Sequence, residues 1–272
     1  MDLTQQRLPE IRLTPIPRLA QGGKWRVEAM RSYSRDQLLW FTRGQGRITV
    51  AGVTRGYGAH NAVFIPANTM HGFEMSGSVF GTAMSIPRES MLPLPTAPVH
   101  LRIRDAASQT ELSALLDGLQ RELEGNRPER LRATHHHAGL IAVWLKRQIL
   151  LHEADAPSPD AAVRLLQRYT EMVEAEFRSH KTVADYAAAL GVTPTHLTRV
   201  CKKACGRPAS ALLTDRVIFE ARRLLEETDT PIKDVAASLG FTSAAYFTRA
   251  FQHHTGRTPS SFRSTSAGGP KA

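Results

Sequence analysis

One pattern occurs twice near the C-terminus and constrains the fold more than any other feature. Leu-Gly-Val-Thr-Pro-Thr-His-Leu-Thr-Arg-Val-Cys, from Leu190, matches Leu-Gly-Phe-Thr-Ser-Ala-Ala-Tyr-Phe-Thr-Arg-Ala-Phe, from Leu239, with one extra residue in the second copy. In each copy a glycine (Gly191, Gly240) stops one helix, and Thr193, or Thr242 or Ser243, caps the next. Upstream, Thr182 to Asp185 reads as a capping box, and Thr230 as an N-cap with Pro231 at the first helical position. Leu197, Val200, Cys201 and Ala204 share one face of the first following helix; Phe247, Ala250, Phe251 and His254 share one face of the second. The opposite faces are polar. The repeat therefore predicts two helix-turn-helix units, about 183–204 and 231–254. Ala209 to Glu227 forms a helix between them, roughly 28 Å long at 1.5 Å per residue. A rod of that length holds the two outer helices near one DNA turn apart, about 34 Å.

The second copy also carries a family resemblance. A-x-x-L-G-F-x-S-x-x-Y-F-x-R-x-F, then a glycine, then P-x-x-F-R, runs from Ala236 to Arg263 and resembles the signature of the AraC/XylS transcriptional regulators. The resemblance implies a DNA-binding regulator whose base contacts come from outward positions of each second helix. In the first unit these are Thr195, Thr198 and Arg199, with Lys202 and Lys203 placed for phosphate and His196 among the further DNA-binding residues. In the second they are Ala244, Ala245 and Arg249, with His253 as a further DNA-binding residue. Two alanines donate no side-chain hydrogen bond, a departure from many relatives that predicts looser discrimination by the second unit. Gly191, Gly240, Phe241, Phe247, Phe251, Pro259 and Phe262 are assigned to folding.

The front of the chain changes period. Residues 1–24 are Pro-rich and read as an arm, and from Trp25 the pattern turns to strands. Gln37 to Thr42, Arg47 to Val50, His60 to Ile65, Met70 to Met75 and Val79 to Ile86 are short strands, and Arg43 to Gly46 reads as a turn. Such spacing predicts a small β-barrel or sandwich. F-T-R-G-Q-G-R-I-T-V and the later F-I-P-A-N-T-M-H resemble the cupin-type sensor domain found at the front of AraC-type regulators. Cupin enzymes hold a metal with an H-x-H pair, a Glu and a later His, and here His71 alone corresponds. One ligand does not hold a metal, so the barrel is read as metal-free and non-catalytic, with no cofactor. Arg31, Trp40, Phe64, His71 and Phe73 are the candidate ligand-binding residues: aromatics to line an apolar pocket, a guanidinium fork for a carboxylate.

Two leucine-rich helices follow, the first opening on Ser108 to Glu111 as a capping box, the second with Leu140, Ile141, Trp144, Leu145, Gln148 and Leu151 on one side. They cover the barrel or pair with a second copy; the resemblance favours a homodimer. Consecutive His135, His136 and His137 point about 100° apart around a helix and do not converge on a metal. His152 to Asp160 reads as a linker.

The expected organisation is α+β and multidomain: arm and cupin-like barrel over 1–105, a two-helix dimerisation element over 106–152, a linker over 153–160, and an all-α double helix-turn-helix domain over 161–272. Net charge is +10, with +6 in residues 161–272 and +4 in the longer remainder, which suits a polyanionic partner. Cys201 and Cys205 form neither a disulfide framework nor a zinc pattern, and a reduced, cytoplasmic setting is expected. Neither a secretory leader nor a membrane span is expected. The reading is a DNA-binding transcriptional regulator under small-molecule control. The alternatives are an architectural DNA-binding protein whose barrel only dimerises, and a cupin enzyme fused to a DNA-binding module, which the missing metal ligands argue against.

Overall fold

The computed structural model describes residues 10–152 and 160–267. Most of the expected linker, residues 153–159, and the start of the arm, residues 1–9, lie outside the described residues. The remainder of the expected arm is structured. It forms strand β1 (Arg12–Pro15), helix α1 (Ile16–Leu19) and helix α2 (Trp25–Glu28), so Trp25 begins a helical turn and not a strand.

Seven antiparallel strands make the N-terminal domain. After β1 come β2 (Asp36–Val50), β3 (Val53–Tyr57), β4 (Asn61–Ile65), β5 (His71–Phe73), β6 (Ser76–Ile86) and β7 (Val99–Arg102). β2 belongs to two sheets. Its first part pairs with β4 and β6, in the order β1-β6-β2-β4-β7, and its last part pairs with β3 and β5. The expected turn at Arg43 to Gly46 is therefore strand, with register shifts at Phe41/Arg43 and Arg43/Gln45. The glycines serve close approach here: a Cβ on Gly44 would stand 2.7 Å from the Ser78 carbonyl oxygen, and one on Gly46 2.6 Å from that of Glu74. Small residues at a bulge bend one strand from the first sheet into the second.

Alternation along β2 separates two cores. Leu39, Phe41 and Ile48 point between the sheets with Tyr57, Val63 and Phe73. Leu38 and Trp40 point outward with Phe64, onto helices α3 (Ala106–Glu124) and α4 (Arg130–His152). Asp105, and not Ser108, caps α3: its carboxylate accepts the Ser108 amide at 2.7 Å. On α4 the buried side carries Ile141, Trp144, Leu145 and Gln148, whereas Leu140 and Leu151 are 53% and 73% exposed. These two lie on the neighbouring stripe, together with exposed Val143 and Leu150.

The C-terminal domain is helical: α5 (Ala161–Glu176), α6 (Val183–Ala189), α7 (Pro194–Cys205), α8 (Ala209–Glu227), α9 (Ile232–Ser238), α10 (Ala244–Thr255) and α11 (Pro259–Ala267). The repeat places α6–α7 and α9–α10 as two helix-turn-helix units on the spine α8. Caps set the elements. Thr182 and Asp185 form the expected box before α6, Thr193 caps α7 with Pro194 inside it, and Ser243 caps α10. At α9 the cap is Pro231, with no side-chain bond, so Thr230 does not serve as expected; its hydroxyl pairs with Thr228 instead.

Candidate nucleic-acid interface

The second helix of each unit presents a polar, open face. Thr195, Arg199, Lys202 and Lys203 on α7 are exposed, and His196 and Thr198 are half-buried beside them. On α10, Ala244, Ala245, Arg249 and His253 are exposed. The inner faces are closed by Leu197, Val200 and Cys201 in one helix and Phe247 and Phe251 in the other. His254, expected on the inner face of α10, is exposed. Tyr246, outside the expected contact set, is 56% exposed at the edge of the α10 face and lies 5.8 Å from the Phe241 ring.

Charge on this face is free for a partner. Arg199 donates from Nη2 to His196 Nδ1 at 3.0 Å, which leaves that nitrogen as acceptor. Among the described residues no carboxylate pairs with Arg199, Lys202, Lys203 or Arg249. Glu174 and Glu220 are used inside the domain. Arg216 bonds Glu174 at 2.6 and 3.1 Å and Glu220 at 3.2 Å, and Glu220 also accepts from Arg178 at 2.6 Å and Arg223 at 2.8 Å. Burial raises the Glu220 pKa, but Arg223 and Arg216 outweigh it and hold the carboxyl at about 2. This network ties α5 to α8. Arg263, the last residue of the sequence signature, donates to the Leu225 carbonyl at 3.3 Å and the Thr230 carbonyl at 2.6 Å, holding α11 against the chain where α8 gives way to α9. The arrangement suits a negatively charged double helix: two capped helices offer cations and short polar groups, and a rigid spine fixes their separation.

A helix-turn-helix domain family matches residues 186–265, which takes in α7 to α10 and most of α6 and α11. The arabinose operon regulatory protein of Salmonella typhimurium is 31% identical over 124 residues, 46% of this chain and 43% of that protein. Its Escherichia coli counterpart is 30% identical over 133 residues, 47% of this chain and 45% of that one. The chain is similar to these two arabinose operon regulators over less than half of its length. It spans less than half the length of these two curated relatives. Among solved structures, ToxT from Vibrio cholerae matches 96% of this chain and 98% of its own at 13% identity, with a TM-score of 0.45. Residues 186–265 are a helix-turn-helix domain, and an antiparallel-sheet domain stands in front of it. No helix among the described residues is long and apolar enough to cross a membrane.

In the sheet domain the five candidate ligand residues separate. Arg31 and His71 face each other through a backbone bridge, with Arg31 N to His71 O at 2.9 Å and His71 N to Arg31 O at 2.8 Å. Both line a cleft of about 380 Å³ at the open side of the inter-sheet space. Phe73 lies below, its ring 5.5 Å from the Arg31 guanidinium carbon. Trp40 and Phe64 do not line the cleft, because strand alternation turns them to the opposite face, under α3 and α4. His71 is 2% exposed and donates from Nδ1 to the Thr69 carbonyl at 2.8 Å. Burial, then the Arg31 charge, lowers its pKa to about 3, so it is neutral near pH 7.

The sheet domain is docked on the helical domain through contacts no sequence pattern marks. The Trp25 ring lies 5.7 Å from Phe219 and 6.0 Å from Phe262, with the Arg222 guanidinium 4.9 Å from its centre. Arg26 pairs with Glu226 at 2.5 Å, and the Met30 amide donates to Asp215 at 3.3 Å. Asp215, Phe219, Arg222 and Glu226 form one stripe of α8 by helical spacing. Behind them the β2–β3 turn presses on α5: a Cβ on Gly52 would stand 2.5 Å from Leu166 Cγ. This docking leaves the outer residues of α7 and α10 exposed.

Proposed function

We propose that this chain is an AraC/XylS-type DNA-binding transcription regulator, that it reads a specific DNA site with both helices and that a small molecule in the sheet domain controls how it does so. The observation that carries the first part is the pair of capped helices, α7 and α10, held on one spine, with cations on their open faces that no carboxylate pairs among the described residues. Thr195, Thr198 and Arg199 would supply base contacts of one half-site, and Ala244, Ala245 and Arg249 those of the other; His196, His253, Lys202 and Lys203 would flank them on the backbone. Control by a ligand is supported by the inter-sheet cleft and by α2, which joins the cleft to α8: the Arg31 guanidinium donates from Nη1 to the Val27 carbonyl at 2.6 Å. A ligand that binds one docked arrangement better than another shifts the population of that arrangement. The proposal further holds that the sheet domain is a metal-free, non-enzymatic cupin-type barrel, that the protein acts in the cytoplasm, and that two copies pair through the exposed Leu140, Val143, Leu150 and Leu151 stripe of α4.

Arg199→Ala tests the DNA reading. Arg199 is exposed and, among the described residues, bonded only to His196, so the variant keeps its melting temperature. Its affinity for the operator falls about ten- to hundred-fold, equivalent to about 1–3 kcal/mol, and preference at one base position disappears. An equal loss on all DNA sequences makes Arg199 a phosphate contact, and an unchanged affinity removes α7 from the interface.

A further inference from the structure

Two arginines among the described residues are almost fully buried, Arg31 at 2% exposure and Arg216 at 5%. Their surroundings differ. Arg216 is matched by two glutamates. Arg31 has no carboxylate within 4.0 Å among the described residues; it donates from Nε to the Tyr33 hydroxyl at 2.9 Å and from Nη1 to the Val27 carbonyl at 2.6 Å, both neutral acceptors. Its Nη2 has no acceptor among the described residues. A guanidinium is charged at any physiological pH, and burying it without a counter-charge is costly. The cleft beside it adds two more guanidiniums, Arg12 and Arg35, and not one acidic side chain. Its walls mix hydroxyl and amide groups, Thr14, Ser85 and Gln37 among them, with the apolar Leu39. Gln37 is itself held by its bond to Ser85 Oγ at 3.0 Å. The void of about 380 Å³ is in the range of small-metabolite pockets.

We propose that this cleft binds a small polar anion, a carboxylate or phosphate ester on a hydroxylated body, whose anionic group seats on Arg31. The inference rests on the reading that the sheet domain takes a small-molecule effector, and it adds the effector's chemical class. Arg31 supplies the missing half of a buried ion pair, and Arg12 and Arg35 at the mouth raise the local anion concentration. The hydroxyl and amide groups of the wall serve the uncharged part of the ligand. Because Arg31 also holds the Val27 carbonyl of α2, an anion on its free edge acts one bond away from the helix that grips α8.

The test uses the full chain and three probes of nearly equal body at constant ionic strength: gluconate, glucose 6-phosphate and uncharged glucose. Calorimetric titration should show one or both anions binding at least ten-fold more tightly than glucose, which also tells carboxylate from phosphate. Arg31→Gln should weaken the anion at least ten-fold, and Arg31→Lys should restore part of the loss, as a point charge without the fork does. If Arg31→Gln does not fold, Arg12→Gln with Arg35→Gln at the mouth should still weaken the anion several-fold. Equal binding of glucose and the anions, anion binding that survives the loss of Arg31, or no binding of any probe at tens of millimolar overturns the inference. Operator binding measured in the presence of the uncharged and the anion-exchange-retained small molecules of a deproteinised extract separates the two levels. A response to the uncharged fraction alone overturns the anion and leaves ligand control standing; no response to either fraction overturns both.

Discussion

Replacing His71 with asparagine should remove a measurable part of the protein's acid sensitivity. In the folded chain the ring is enclosed, its Nδ1 proton bonded to the Thr69 carbonyl and its surroundings set by Arg31, Tyr33 and, farther off, Arg216. Burial first, then Arg31 and Arg216, disfavours the imidazolium, and only the Thr69 bond opposes them, so the pKa falls from 6.5 to about 3. The unfolded chain takes up a proton below pH 6.5 and the folded chain does not until about pH 3. Stability is therefore full above pH 6.5 and is lost as the pH falls between those values, at about 1.4 kcal/mol per pH unit. From pH 7 to pH 4.5 the loss due to this one group is about 3 kcal/mol. Asparagine keeps an N–H for Thr69 and does not titrate. His100, lowered to about 4 by burial and then Arg55, and Glu220 add their own acid sensitivity, but they are present in both proteins and cancel in the difference. Urea unfolding followed by circular dichroism at pH 7.0, 6.0, 5.0 and 4.5 gives that difference directly. Wild-type stability relative to His71→Asn should shrink steadily as the pH falls. Parallel curves would show that His71 takes up its proton in the folded state and would refute the argument from burial.

Trp25→Ala should weaken the grip of α2 on α8 by about 2 kcal/mol, from lost apolar area and the Arg222 contact; a double-mutant cycle with Phe219→Ala should give a coupling near 1 kcal/mol, and zero coupling would mean the rings do not meet in solution. Glu220→Ala strips a buried carboxylate from Arg216, Arg178 and Arg223 and should cost about 3 kcal/mol in urea unfolding at pH 7, with much of the difference gone near pH 2, where the wild-type carboxyl protonates. Gly240→Ala places a Cβ 2.6 Å from the Arg178 carbonyl oxygen at a φ of +85° and should destabilise the helical domain by at least 2 kcal/mol, with operator binding lost at the melting temperature of the weakened domain. Tolerance of alanine there would mean that the turn relaxes.

The sequence was most informative where structure is local. Thr182, Thr193 and Ser243 cap helices through bonds that span three residues, and Gly191 and Gly240 take positive φ at the ends of theirs, so the double helix-turn-helix could be read from spacing alone. The same local reading misjudged Gly44 and Gly46, because a glycine required by a neighbouring strand looks like one required by a turn. It placed Trp40 and Phe64 with Arg31 because all suited a pocket, whereas the pleat of β2 and β4 directs those two rings away from it. Leu140 and Leu151 read as sharing one side with Ile141 and Trp144, because helical periodicity marks an apolar stripe without saying which part of it meets the sheet.

By itself, then, the order of residues determined the two capped helix pairs, the spine between them and the open faces that carry Arg199 and Arg249, since each depends on neighbours a few positions away. Only the tertiary structure decided that α2 seats Trp25 on α8, that one long strand serves two sheets, and that Arg31 is enclosed without a carboxylate. Those outcomes depend on groups far apart in the chain, such as Arg26 and Glu226, whose pairing is fixed by how whole layers pack and not by any local preference.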